Sequence, residues 1–160
     1  MNERDGLSLR QRLHGGEKLG VFWSVLGSPA LVEIATEARP DAVVLDAQHG
    51  LWDRRTLEEV LGAVGTGTPV LVRTADGTAP AIGTALDAGA EGVIVPLVET
   101  GAQATEAVAA GRFPPEGRRS GGGVRPLKGD FAAYCSRAAR HTVVGVMIET
   151  VRGVENAAEI

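Results

Sequence analysis

Aromatic residues make up only 4% of this 160-residue chain. Its core must therefore be built from Val, Leu, Ile and Ala, the composition of strands buried on both faces. A single cysteine, Cys135, excludes an internal disulfide and a Cys-rich zinc site, and makes a reducing, cytoplasmic setting the expectation. Cys135 itself reads as a small buried hydrophobe. No apolar run approaches the ~18 residues of a membrane span, and Met1 to Arg12 is too polar for a secretory signal. Positive charge is also scarce. Lys and Arg number 16 against 20 Asp and Glu, leaving a net charge of −4, and no continuous basic stripe offers a nucleic-acid face.

What the chain does hold is small apolar residues and punctuation. Hydrophobic residues are 44% of the total, and the 22 Gly and 8 Pro are spread along the sequence, which supports one folded domain over 1–160. Short β-branched runs recur, each followed by helical spacing. The first strand is expected over Leu19 to Val25, and Ser28-Pro29 opens a helix carrying Leu31, Ile34, Ala35 and Ala38 until Pro40. Ala42 to Leu45 is the second strand, with Thr56 to Val64 helical behind it. Val70 to Val72 follows Pro69 as the third, then a helix over Ala79 to Ala88 closed by Gly89. Gly92 to Val95 is the fourth, backed by Gln103 to Ala110. The insertion Gly111 to Arg140 holds a Gly/Pro/Arg loop and a short helix around Phe131 to Ala139. Val143 to Ile148 is the fifth strand, and a further helix begins at Val151.

None of these strands alternates, so they read as a buried parallel sheet: about five β-α units of a (β/α)8 barrel, with an open flavodoxin-like sheet as the competing arrangement. A dinucleotide fold fits less well, because Gly65-Thr66-Gly67 precedes its strand whereas a phosphate fingerprint follows one.

Polar residues collect just past the strand ends. Asp46, Gln48 and His49 follow the second strand, Arg73 ends the third, Glu99 follows the fourth and Glu149 ends the fifth. In a barrel these ends converge on one mouth, where active sites form. Each residue also has a plain structural use. His49 could cap or pack, Asp46 could close a turn, Arg73 could make an ion pair, and Glu149 could receive an N–H at the next helix start. Together, a base candidate, a cation and a carboxylate on one rim describe a small-anion site. His14 and His141 lie outside that rim and read as surface or structural residues. Phe22 and Trp23 read first as core packing, with lining of the mouth as the alternative. The run Arg118 to Gly123, with Arg125 and Lys128 close by, reads either as a solvated loop or as an anion cradle and lid over the mouth.

Several ordered segments carry a family resemblance: Val43-Val44-Leu45-Asp46-Ala47-Gln48-His49-Gly50, Pro69-Val70-Leu71-Val72-Arg73, Ala85-Leu86-Asp87-Ala88-Gly89-Ala90, Gly92-Val93-Ile94-Val95-Pro96-Leu97-Val98 and Val146-Met147-Ile148-Glu149-Thr150, with Arg112 to Arg119 between the last two. On these the chain resembles the HpcH/HpaI aldolase family, from about Leu9 to Ile160. The resemblance implies a TIM barrel and a class II pyruvate aldolase, which cleaves a 4-hydroxy-2-oxo acid reversibly to pyruvate and an aldehyde. It matches His49 to the catalytic base and Asp87 to its acidic partner. It matches Arg73 to the residue holding pyruvate's keto oxygen and the enolate, and Glu149 to one of two carboxylates on a divalent ion (Mg2+, Mn2+ or Co2+). A small-molecule substrate and a homo-oligomer are implied, with no nucleic-acid or membrane partner.

The family's second metal carboxylate is an Asp in a Gly-Pro-x-Asp-like segment on the next strand. Three β-α units of the pattern, that strand included, are not present up to Ile160, so the resemblance implies a C-terminally truncated relative. Two other functions stay open: a non-catalytic or split barrel that needs a partner chain, and a CoA-ester lyase or other phosphoenolpyruvate/pyruvate enzyme sharing the enolate chemistry.

Overall fold

The apolar runs become five parallel strands: β1 (Val21–Ser24), β2 (Ala42–Asp46), β3 (Val70–Arg73), β4 (Gly92–Val95) and β5 (Val143–Val146). The computed structural model describes residues 6–64, 67–123 and 129–160. Among these residues seven helices accompany the strands: α1 (Leu9–His14), α2 (Pro29–Thr36), α3 (Arg54–Val64), α4 (Ala79–Asp87), α5 (Gly101–Gly111), α6 (Phe131–His141) and α7 (Val151–Glu155). The strand order is β1-β2-β3-β4-β5. A flavodoxin-like sheet runs 2-1-3-4-5, so the sequential order decides between the two expected arrangements in favour of the barrel type. No helix among the described residues is long and apolar enough to cross a membrane.

The two faces of the sheet carry different residues. Val43, Leu45, Val70, Val72, Val93 and Val95 face the helix layer and pack with Val32, Leu57, Val60, Ile82, Leu86 and Ala107. On the inner face Ala42, Val44 and Leu71 form a second cluster with Leu9, so α1 plugs the strand-start end. Gly92 permits the tight fit of β4 to β5, since a Cβ there would stand 2.4 Å from the Val143 carbonyl oxygen.

Helix starts follow ordinary capping chemistry. Ser28, Thr78, Thr100 and Thr150 each accept a backbone N–H in the first turn, and Pro29 and Pro80 sit where no N–H is needed. α1 was not expected from its polar composition, although Ser8 and Gln11 form a reciprocal capping box that is legible as Ser-x-x-Gln. Cys135, expected as a buried hydrophobe, is only partly buried on α6.

Candidate active site

β2 and β3 end in register, Asp46 opposite Arg73, and both side chains point to the inner face. Arg73 Nε donates to Asp46 Oδ1 at 2.9 Å, and Arg73 Nη2 donates to Oδ2. Asp46 also accepts from Trp23 Nε1 at 3.3 Å and from the backbone N–H groups of Gln48 and His49, each at 3.0 Å. Asp46 is 1% exposed and Arg73 8%. Burial pushes the Asp46 carboxyl up, but Arg73, His49, Trp23 and Gln48 outweigh it and hold it down at about 2. With five donors on two oxygens, Asp46 is an anchor and has no free lone pair for a proton or a metal. Arg73 Nη1 is the guanidinium nitrogen left clear of Asp46; its one hydrogen-bond contact among the described residues is the Met147 sulfur at 4.0 Å. The guanidinium carbon lies 5.3 Å from the Trp23 ring centroid, within cation–π range. Phe22, by contrast, packs into the helix-side core. The two aromatic residues of β1 thus divide between core and mouth.

The turn after β2 is fixed from both sides. Gly50 N donates to the Asp46 carbonyl, Leu51 N to that of Val25, and Trp52 Nε1 to that of Ser24. A Cβ on Gly50 would stand 2.2 Å from the Asp46 carbonyl oxygen and 2.9 Å from that of Val25, so only glycine fits. His49 is carried by this turn with its imidazole exposed and without a hydrogen-bond partner among the described residues.

Glu149 stands on the exposed rim just beyond β5, and its Oε1 accepts from Leu97 N at 2.9 Å. Leu97 adopts φ 57, a left-handed conformation that is uncommon outside glycine and tends to be held at functional positions. Glu99 is engaged by Thr150 Oγ1 at 2.8 Å and by Arg152 at 3.8 Å, so it joins the β4 loop to α7. Among the described residues no group of three or more His, Cys, Asp or Glu could hold a metal ion. With Asp46 saturated, Glu99 engaged and Glu149 holding Leu97 N through one oxygen, these described residues do not by themselves fit a divalent ion.

Asp87 lies elsewhere. It ends α4, which runs back along the sheet to the strand-start end, where Leu86, Ala88 and Gly89 line a cavity of about 930 Å³ together with Leu9, Glu91 and His141. Its Oδ1 accepts from Arg119 Nη2 at 3.0 Å. The structure thus brings Arg73 and Glu149 to the mouth with His49 and leaves Asp87 at the opposite end. Within one chain the expected His49–Asp87 pair does not form.

The described part of the loop read either as solvated or as a lid and cradle is also turned away from the mouth. Arg118 pairs with Glu106 on α5, Arg119 with Asp87, and Gly121 lies against the Phe131 ring. Arg125 and Lys128 lie outside the described residues, as do Gly65 and Thr66. His14 Nδ1 bonds the Arg10 carbonyl at 2.8 Å, and His141 ends α6, both away from the mouth. Sequence reasoning missed the anchoring role of Asp46. Its signal was available: an acid and an arginine each closing one of two consecutive strands.

A family model described as HpcH/HpaI aldolase/citrate lyase matches residues 19–160. The 4-hydroxy-2-oxovalerate aldolase of Novosphingobium aromaticivorans is 34% identical over 145 residues, covering 89% of this chain and 55% of that protein. A hydroxypyruvate/pyruvate aldolase of Pseudomonas aeruginosa is 34% identical over 152 residues, covering 92% and 56%. The crystal structure of an aldolase/citrate lyase family protein from Burkholderia cenocepacia superposes with a TM-score of 0.86 at 30% identity, covering 95% of this chain and 63% of that one. The chain thus spans somewhat more than half the length of the relatives it matches. The sequential parallel sheet, the anchored strand-end arginine and these matches agree: the chain belongs to the HpcH/HpaI aldolase/citrate lyase family.

Proposed function

We propose that this chain contributes the Arg73 side of the active site of a pyruvate aldolase, cleaving a 4-hydroxy-2-oxo acid to pyruvate and an aldehyde. The observation that carries the reading is the orientation of Arg73. Asp46 occupies Nε and Nη2, so the guanidinium is fixed in the mouth with Nη1 free for an anionic oxygen. In cleavage a base removes the proton of the C4 hydroxyl, the C3–C4 bond breaks to release the aldehyde, and its electron pair moves into the pyruvate enolate. Charge develops on the C2 oxygen, and a preoriented guanidinium in a partly dry site favours that charge. The enolate is then protonated at C3.

His49 is the base in this reading, since an exposed imidazole on a rigid turn, unpaired among the described residues, is placed to take and return a proton. Asp87 can reach such an imidazole only from a second copy of the chain, so the reading includes a homo-oligomer. Glu149 is assigned as one carboxylate of a divalent-metal site (Mg2+, Mn2+ or Co2+) whose other ligands are not among the described residues. The two aldolase relatives support the substrate class.

The test is exchange of the pyruvate methyl protons with deuterium, followed by NMR with divalent metal present. Exchange is expected, and His49→Ala or Arg73→Ala should abolish it. A metal-loaded preparation with neither exchange nor cleavage removes the proposal. Mixing inactive His49→Ala with inactive Asp87→Asn should regain activity if the two residues come from different copies.

A second reading, a chain that works only when joined to a partner, draws on Val21 and Trp23, which are 47% and 41% exposed on the inner face of β1. Light scattering separates the two. A stable, active species of this chain alone excludes the second.

A further inference from the structure

Arg119 is the most buried arginine among the described residues, at 4% exposure. Its Nη2 donates both to Asp87 Oδ1 at 3.0 Å and to the Tyr134 hydroxyl at 2.8 Å. The guanidinium carbon lies 4.6 Å from the Phe113 ring centroid and 5.6 Å from that of Tyr134. Phe113 in turn makes edge contacts with Tyr134 and Phe131. The main chain is held as well, with Arg119 N on the Arg112 carbonyl at 2.8 Å. Among the described residues nearby, Arg118 pairs with Glu106, Arg112 with Glu116, and Arg137 lies over the Tyr134 ring, while Arg119 is the arginine that bonds Asp87.

The Arg119 Nε is buried without a partner among the described residues. That unpaired N–H costs stability whatever the role of the residue. For holding one carboxylate in one orientation, a rigid planar fork clamped between rings is well suited. Asp87 Oδ2 makes no hydrogen bond among the described residues and faces Gly122, and the side chain is 26% exposed.

We infer that Arg119 is a positioning residue for Asp87: it fixes one carboxylate oxygen so that the other is presented outward to the His49 imidazole of a second copy. The inference rests on the pairing of His49 and Asp87 given under the proposed function. An ionised carboxylate beside an imidazole favours the protonated ring and so holds the acid limb of the pH–rate profile up.

The experiment is the pH dependence of kcat/KM for cleavage of a 4-hydroxy-2-oxo acid by the wild type, Asp87→Asn, Arg119→Met, Arg119→Lys and Tyr134→Phe, with thermal melts of each. Asp87→Asn should move the acid limb to lower pH by about one unit and lower kcat at least about tenfold. Arg119→Met should do the same with little change in KM, Arg119→Lys should recover part of it, and Tyr134→Phe, which removes only one hydroxyl, should give a smaller shift in the same direction. If Asp87→Asn moves the limb while the Arg119 and Tyr134 variants lose only stability, Arg119 is a structural staple and the inference is overturned. A limb moving to higher pH in Arg119→Met also overturns it, since Arg119 would then be tempering the charge of Asp87. If Asp87→Asn itself leaves the limb in place, both ideas fall and the assigned role of Asp87 is the one at fault.

Discussion

Asp46 and Arg73 close two adjacent strands at the same level of the sheet, and each meets the other through two atoms. Neither residue bonds a second ionised partner among the described residues, and both are almost fully buried. The mouth of this sheet is therefore organised by one ion pair, from which the His49 turn, the Trp23 ring and the open Nη1 all take their positions.

Breaking that pair from the acid side should be costly. Asp46→Asn leaves a buried guanidinium without its counter-charge, and a loss of about 3–5 kcal/mol is expected in urea unfolding at pH 7. The wild type should also weaken in acid. Because the folded-state value is depressed to about 2 from an ordinary 3.8, the linked contribution is complete above the ordinary value and lost as pH falls through about 2. About 2 kcal/mol should disappear over that window, and the gap between wild type and Asp46→Asn should narrow there. A constant gap from pH 7 to pH 2 would contradict the assignment.

Arg73→Lys keeps the charge but not the fork. One ammonium cannot serve both Asp46 oxygens and still leave a donor for a ligand oxygen. We expect kcat/KM for cleavage to fall by about a hundredfold, ~2.7 kcal/mol, and Arg73→Ala to fall further. Equal activity of the lysine variant would remove Arg73 from the enolate site.

Gly50→Ala tests the rigidity of the His49 turn. Its Cβ would collide with the Asp46 and Val25 carbonyl oxygens, both backbone atoms with little room to retreat. A loss of at least about 1–3 kcal/mol is expected on thermal or chemical unfolding, along with reduced exchange activity as His49 is displaced. An alanine variant of unchanged stability would mean that the turn is looser than its contacts indicate.

Glu91 makes a prediction of opposite sign. Burial pushes its carboxyl up, more than the Leu9 N–H and His141 pull it down. A raised value means that its contribution is complete below the ordinary carboxylate range and lost as pH rises through the folded-state value. Glu91→Gln should therefore raise the melting temperature at pH 7–8 and lose that advantage near pH 4. A variant less stable at every pH would show that the ionised carboxylate is needed where it stands.

Much of the fold was legible because β2 to β4 are short apolar runs between glycine and proline breaks. Five strands and the helices behind them follow from that spacing alone. His49, Arg73 and Glu149 were legible as strand-end residues for the same reason. Asp46 could be placed but not given a role, since its role comes from register with Arg73 across 27 residues of sequence. The contact that Asp87 makes in this chain was not legible for a related reason. Its partner, Arg119, is 32 residues away on a loop whose path back along α4 has no periodic signature. The short helix α1 escaped notice because its burial rests on Leu9 alone.

The sequential strand order has a consequence for how the chain reaches this shape. Each strand docks on the one made just before it, so a polypeptide growing from its N-terminus finds every new edge already built, and loop closure stays short at each step until the longer excursion before β5. α1 departs from this order. Leu9 seats against Ala42, Val44 and Leu71, so α1, although it precedes β1 in sequence, can settle only after β3 has joined the sheet.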